Sequence, residues 1–348
     1  MATEFANLTG MDGTGTGNNG SGTSVSAGSL TPSASGDLVY QVVASLAASR
    51  SQSSFAAGSQ SNIGWNLLSA DLMDGWAGQY GVYNSTSPLN PSMTMGSSQP
   101  WASAAVLLKT GSSGSVPSGM RIVHLVLENI PQQVAAGGTG KPFPNPLSLQ
   151  FPSSGNLLLA MIAGGHNAET VTSISDSSGN SWSQAGATAA NGDATAQAYY
   201  TGGAATSADL GLTLNWSGSS GDYTALLYDV TGAAAEPLDT ATGAVGTQAT
   251  AGNLTMPFTI TPATANELVF LAAAWQQNTG TGLVGQFFDA NGFSGESLNG
   301  PGPVDENNGW GHAITTSTAA VGFTFTLESA TTATGNWVAT AAAFQAAH

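Results

Sequence analysis

The sequence predicts an all-β fold of three tandem antiparallel β-sandwich domains, jelly-roll or Ig-like. Three observations predict it: a motif that occurs three times, apolar residues that alternate or run in short blocks, and turn residues spaced roughly every 8–12 positions. The motif is an apolar residue, a Pro/Ser/Thr turn, a small or acidic pair, and then an apolar strand. It reads Leu30-Thr31-Pro32-Ser33-Ala34-Ser35-Gly36-Asp37-Leu38-Val39-Tyr40, then Phe151-Pro152-Ser153-Ser154-Gly155-Asn156-Leu157-Leu158-Leu159, then Ile260-Thr261-Pro262-Ala263-Thr264-Ala265-Asn266-Glu267-Leu268-Val269-Phe270. Its leucines, Leu38, Leu157 and Leu268, are 119 and 111 residues apart, the length of one immunoglobulin-sized or jelly-roll-sized sandwich. Each repeat closes on an aromatic followed by small apolar residues, at Trp101, Tyr223 and Trp337, which lie 63, 66 and 69 residues after the leucine.

Between the two anchors a middle strand begins near Trp76, Thr195 and Trp310. A penultimate one alternates apolar with small or polar residues, as in Leu210-Gly211-Leu212-Thr213-Leu214 and Val321-Gly322-Phe323-Thr324-Phe325. Alternation of this kind puts one face in a core and the other in solvent. The longest apolar runs, 157–163 and 268–275, fall far short of the ~20 residues of a membrane helix and read as buried strands. The window 42–52 is the only stretch that also fits a helix. The expected domains span 1–110, 120–232 and 233–348, with a Gly/Ser-rich link at 110–119 and an extra strand at 121–131.

Only 7% of the 348 residues are charged, against 41% hydrophobic and 46 glycines, so the polar surface is supplied by Ser, Thr, Asn, Gln and Gly. Four Lys and Arg stand against 20 Asp and Glu, a net charge of −16. That charge repels phosphate backbones, and the scattered cations form no stripe for a polyanion or a lipid surface. Nucleic acid and membrane insertion are therefore excluded as expectations. With no cysteine, disulfides, thiolate catalysis and cysteine zinc sites are excluded as well. The first residues show neither a basic region nor an apolar block, so a leader is expected to have been removed, the chain trimmed, or export to follow another route.

Phe5, Ala6, Asn7 and Leu8 open a segment that matches the end of the second repeat's closing strand at 227–232. Two readings follow: an ordinary first strand in a piece of a longer array, or a strand that completes a neighbouring subunit's sheet. Copies of the chain itself are the expected partners, and donated strands would join them into an open fibre.

The chemistry-bearing residues are few. His124 and His312 read as packed side chains, while His166, after Gly164-Gly165, is the histidine placed for ligand contact. No G-x-S-x-G elbow or Ser-His-Asp set can be assembled, and the sequence is read as non-catalytic. Asp37 and Glu267 precede their leucines in the first and third repeats, Asn156 in the second, and are read as solvated turn caps. Oxygen-rich loops make calcium the one cofactor left open, with Asp176, Asn180, Asp289, Asn291 and Asp305 as its candidate ligands, although none follows EF-hand spacing. Trp101 and Trp337 read as core, whereas Trp182 and Trp310, with His166, are the candidate glycan contacts.

The repeated Leu-apolar strand, the run Asp176-Ser177-Ser178-Gly179-Asn180-Ser181-Trp182 and the closing aromatic-Ala strand resemble the tandem β-sandwich repeats of large secreted bacterial surface and matrix proteins. The first repeat carries Asn62-Ile63-Gly64-Trp65 in place of that run. The resemblance implies an extracellular or cell-surface scaffold, adhesin or fibre subunit, with a carbohydrate-binding module as the alternative and a glycan-active enzyme third.

Overall fold

The computed structural model describes residues 8–46, 54–71, 75–110, 120–130, 145–153, 156–164, 169–218, 223–248, 254–279, 288–289, 294–299, 307–315, 317–327 and 334–347. Among them there are 24 strands and no helix, so the all-β expectation holds. In chain order the strands are β1 (Leu8–Met11), β2 (Thr16–Ser26), β3 (Asp37–Ser45), β4 (Ser54–Ala56), β5 (Asn66–Asp71), β6 (Trp76–Tyr83), β7 (Ser92–Thr110) and β8 (Arg121–Ile130). Then come β9 (Leu147–Ser153), β10 (Leu157–Gly164), β11 (Val171–Asp176), β12 (Ser183–Gln184), β13 (Ala189–Asn191), β14 (Ala194–Gly202), β15 (Ser207–Trp216) and β16 (Tyr223–Thr231). The last are β17 (Ala233–Gln248), β18 (Leu254–Ile260), β19 (Leu268–Thr279), β20 (Phe288–Asp289), β21 (Ser294–Asn299), β22 (Asn307–Ile314), β23 (Val321–Leu327) and β24 (Thr334–Ala346). The chain divides into two compact units, 1–126 and 127–348.

In the first unit β3 lies between β6 and β7, with β5 beyond β6 and with β1 and β2 on the far side of β7. β7 is long because it pairs twice. Its later half meets β3 and the start of β2, and its first residues meet the end of β2 and β4. Met93 and Met95 are buried on either side of exposed Thr94, the alternation the sequence predicts. Val39, Ala105 and Leu107 point inward onto Leu30, Ile63, Trp65, Tyr83 and Leu89.

The second unit contains four sheets. One has the order β12-β14-β10-β16, with β13 also on β14, and one has β11-β15-β9. The third is β17-β24-β19-β22-β21 and the fourth β18-β23-β20. Trp216 on β15 stacks at 4.6 Å on Tyr223 of β16, and Tyr199 on β14 donates its hydroxyl to the Val171 carbonyl on β11 at 2.6 Å. These contacts join the first two sheets. Phe258 and Ile260 of β18 pack with Val269, Leu271 and Ala273 of β19 and Ala339, Ala341 and Ala343 of β24, joining the other two.

The leucine anchors occupy equivalent places. Leu38 pairs with Val82 and Leu108, Leu157 with Gly202 and Val230, and Leu268 with Ile314 and Phe344. In each case the leucine opens, or directly follows the opening of, a central strand held antiparallel between the middle and closing strands of its repeat.

One feature departs from the expectation of one wet face per sheet. All eight residues of β10 are buried, and so are 268–275 on β19. The reason is that the β10 and β19 sheets stack on each other inside the second unit. Tyr228 meets Phe270 at 4.6 Å, Tyr200 meets Phe344 at 5.5 Å, and Tyr228 meets His312 at 6.0 Å. A strand buried on both faces reads as an unbroken apolar run, and that is what Leu157-Leu158-Leu159-Ala160-Met161-Ile162-Ala163 is.

Candidate functional site

The motif's acids form the most unusual chemistry among the described residues. Gly36 and Asn266 turn the chain with positive φ, 96° and 65°, a conformation open to glycine and tolerated by asparagine. Their backbone N–H groups donate to Tyr83 and Thr315, the last residue of β6 and the first beyond β22. That geometry points the next side chain, Asp37 or Glu267, inward. Asp37 is 4% exposed and Glu267 is fully buried, which corrects the reading of both as solvated caps: the turn is at the surface, but its acid is not.

Each acid faces a second carboxylate that the sequence reading did not pair with it. Asp12 accepts from the Ser33 N–H at 2.5 Å and the Ser33 hydroxyl at 2.7 Å, and lies 3.4 Å from the Lys109 ammonium. Asp239 accepts from the Ala263 N–H at 2.7 Å and from Gln345 at 3.2 Å. Ser33 and Ala263 are the same position, one residue after the motif's proline, so the two acids clamp the same turn in two repeats. Extending the match between the N-terminus and 227–232 reaches Met11-Asp12 and Leu238-Asp239 only across an insertion at 233–237, since in direct register Asp12 falls on Ala234.

The electrostatics of each pair are unequal. The Ser33 backbone and hydroxyl donors, then Asp37, hold Asp12 below the usual carboxylate range. Burial, reinforced by Asp12, pushes Asp37 up to about 6. Burial also raises Glu267, with Asp239 adding to the rise and the two Thr264 donors at 2.9 and 2.7 Å opposing it. Asp37 Oδ2 and Glu267 Oε2 are buried and receive no donor. A carboxylate oxygen in that position beside a second carboxylate is stable when it carries the proton itself. The second repeat replaces the acid with Asn156, whose amide spans Ala233, donating to its carbonyl at 2.6 Å and accepting from its N–H at 3.1 Å.

The Asp176 loop, a candidate calcium site by sequence, is filled by its own donors. Oδ1 accepts from the Ser178 and Asn180 N–H groups at 2.9 and 3.1 Å, and Oδ2 from the Asn180 amide and the Trp182 indole at 2.9 and 2.7 Å. Burial pushes this carboxyl up, but the donors, Trp182 foremost, outweigh it and leave it below the ordinary value. Gly179, with φ of 72°, supplies the left-handed step. Asn180 also accepts from the Ala205 N–H, and Ser177 exchanges two hydrogen bonds with the Gly211 backbone. In the first unit Trp65 donates to Gln60 at 2.5 Å, so an amide there does the work of the aspartate.

Asp289 lies in β20, away from the Asp176 loop in sequence, whereas Asn291, Asp305 and His166 lie outside the described residues. Among the described residues no group of three or more His, Asp and Glu is placed to hold a metal ion. Trp182 is half-buried. Trp310 is 1% exposed and donates to the Met161 carbonyl at 3.2 Å, so its ring is packing within the second unit and presents no face to a sugar. Phe5, Ala6 and Asn7 lie outside the described residues, while Leu8 begins β1, which pairs with β7 of the same chain.

Two buried amide networks complete the polar interior. Gln79 donates to Gln41 at 2.7 Å and accepts from the Gly58 N–H at 2.8 Å, and Gln41 donates to Ser103 at 3.0 Å. Gln197 brackets Val171, accepting from its N–H at 2.7 Å and donating to its carbonyl at 3.0 Å. In both units these buried amides are satisfied by backbone groups and by one another, as buried polar side chains require. No family model matches the chain, and no significant similarity to a curated protein is found.

Proposed function

We propose that the chain is a non-catalytic, extracellular or cell-surface structural protein, a subunit of a fibre or matrix built from three tandem β-sandwich domains and assembled through β-strand contacts between subunits. The observation that carries this reading is the stacking of the β10 sheet on the β19 sheet: repeat lies on repeat through a buried, largely aromatic and apolar face, the way solenoid and array proteins bury a surface that one repeat alone leaves open. The acids of the motif support it too. Asp12 and Asp37 are in direct contact, which leaves no gap for the scissile bond that a carboxylate pair would flank in a glycosidase, and Asp176 is engaged within its own loop. A surface nearly free of lysine and arginine suits exposure outside the cell. Negative-stain electron microscopy of the purified chain tests the reading: ordered filaments or arrays are expected. Dispersed particles that bind on a glycan array would replace it with a carbohydrate-binding module.

A further inference from the structure

The first unit carries the same sheet face that the second unit uses for stacking, and there it is open. The rows that stack are Tyr200-Leu159-Tyr228 on one side and His312-Phe270-Ala342 on the other, with Phe344, two residues along β24, diagonally beside Phe270 at 6.0 Å. By register the equivalent row of the first unit is Tyr80-Tyr40-Val106, and the next rows are Gly78-Val42-Ala104 and Trp76-Ala44-Ala102. Their alternation partners Val39, Val43, Ala105 and Leu107 point into the core. None of these outward residues on β6, β3 and β7 is charged, and the Trp76 row ends at the sheet edge on Asp71 of β5. Tyr40, Val42, Ala44, Trp76, Tyr80, Ala102 and Val106 are only half-buried, and Ala104 is exposed. Val42, Ala44, Trp76, Ala102 and Ala104 border an open groove of about 440 Å³ with a mainly apolar lining.

We propose that this face of the first unit docks, sheet on sheet, against the same face of a second copy of the chain. The occupant follows from the second unit, where the face is covered by its own equivalent: the Tyr200-Leu159-Tyr228 row meets the row of Phe270 and His312, and the uncharged residues Ala198, Met161 and Leu226 of the next row face Trp310, Ala272 and Thr340, in the face-to-face packing that sets two sheets about 10 Å apart. A like-on-like contact closes with two-fold symmetry. The area is sufficient, since five strands (β2, β7, β3, β6, β5) at ~4.8 Å spacing and about eight residues at ~3.4 Å give a face of roughly 650 Å² per copy, near the ~800 Å² per partner of a standard interface. This deepens the assembly reading by naming a contact surface, and rests on that reading only for its place in a larger array.

Sedimentation velocity of the full chain across a concentration series tests it. The expected result is a reversible dimer that Ala104→Arg weakens at least tenfold, with far-ultraviolet circular dichroism unchanged. Because the chain has no cysteine, Ala104→Cys adds a second readout. Its mild oxidation should give a covalent dimer, whereas the same treatment of Val245→Cys, exposed in the second unit, should not. A monomer at every concentration, or a dimer indifferent to Ala104→Arg, overturns the proposal. In such a monomer, protection of Cys introduced at 104 from maleimide would assign the face to the chain's own second unit. An Ala104-sensitive dimer without filaments rejects the fibre and keeps this face; filaments from a chain whose assembly ignores Ala104→Arg do the reverse.

Discussion

Asp37 and Glu267 occupy the same place in two separate sheets: each follows a left-handed turn residue, precedes the leucine anchor, is buried, and faces a second carboxylate. Two acids in contact hold one proton between them more firmly than either holds it alone. The turn is thus closed by a carboxylic acid against a carboxylate, and in the first repeat the Lys109 ammonium, 3.4 Å from Asp12, offsets part of the repulsion.

The pH dependence follows from the direction of the shifts. The ordinary aspartate value is 3.8, and Asp37 is raised to about 6, so between these pH values the folded chain retains a proton that the unfolded chain has released. Stability from this group is fully present below the unfolded value and is lost as pH rises through the folded one. Glu267 acts in the same direction, whereas Asp12, held low, contributes stability above its ordinary value that is lost only in stronger acid. Calorimetry should show Tm falling by roughly 2–6 °C from pH 4 to pH 7. The double variant Asp37→Asn, Glu267→Gln should flatten that slope while still folding, since Asn156 already fills the position in the second repeat. A slope equal to the wild type's would show that the protons are held elsewhere.

Asp176 gives a prediction about both stability and metal. Asp176→Ala strips four N–H groups of their acceptor, including the Trp182 indole; one is exposed and three are half-buried, so water replaces part of what is lost and the cost is about 1 kcal/mol, the low end for unsatisfied donors. Urea denaturation followed by tryptophan fluorescence should register that loss. Because those donors already fill the carboxylate, EDTA should leave the wild-type Tm where it was; a calcium-dependent rise would instead mean that the loop opens to bind the ion.

The central strands were legible from the sequence because Leu38, Leu157 and Leu268 sit in a motif whose spacing a folded repeat must preserve. The stacking of β10 on β19 was also written there, in apolar runs with no alternation, yet a run of that kind fits a buried strand in any sheet and does not name its partner. The acid pairs were hidden for a different reason. Asp12 and Asp37 are 25 positions apart, and an acid beside a turn is usually solvated, so only the left-handed step at Gly36 shows that this one turns inward. Trp310 is a different case: its place at the head of the middle strand was legible, but not that its face of β22 is the one the β10 sheet covers, where its indole donates to the Met161 carbonyl.

Two cross-strand pairs make a packing prediction. Gly20 lies opposite Trp101 and Gly246 opposite Trp337, the closing aromatic of the first and third repeats. A Cβ added at Gly20 would lie 2.6 Å from the Trp101 ring, and one at Gly246 2.5 Å from that of Trp337. The indole folds across the neighbouring strand because nothing projects from it. Gly20→Val and Gly246→Val should each cost about 1–3 kcal/mol through displaced aromatics, and near-ultraviolet circular dichroism should change with them. A neutral effect at either site would mean that the tryptophan has a second place to go.

The contact of Tyr228 with Phe270 decides whether the second unit unfolds as one body. The rings are 4.6 Å apart and inclined at 55°, one from the β10 sheet and one from the β19 sheet, both fully buried. Truncating a buried aromatic to alanine costs about 3–5 kcal/mol, whichever sheet it belongs to, so single variants cannot separate cohesion from local packing. The double-mutant cycle with Tyr228→Leu and Phe270→Leu can, because only an energetic link across the stack makes the two losses non-additive. An aromatic pair of this geometry should couple by about 0.5–1.5 kcal/mol, and chemical denaturation of the second unit should remain a single transition. If the cycle closes at zero and each variant lowers a different transition, the two sheets fold independently, and the stacked face does not hold the repeats together.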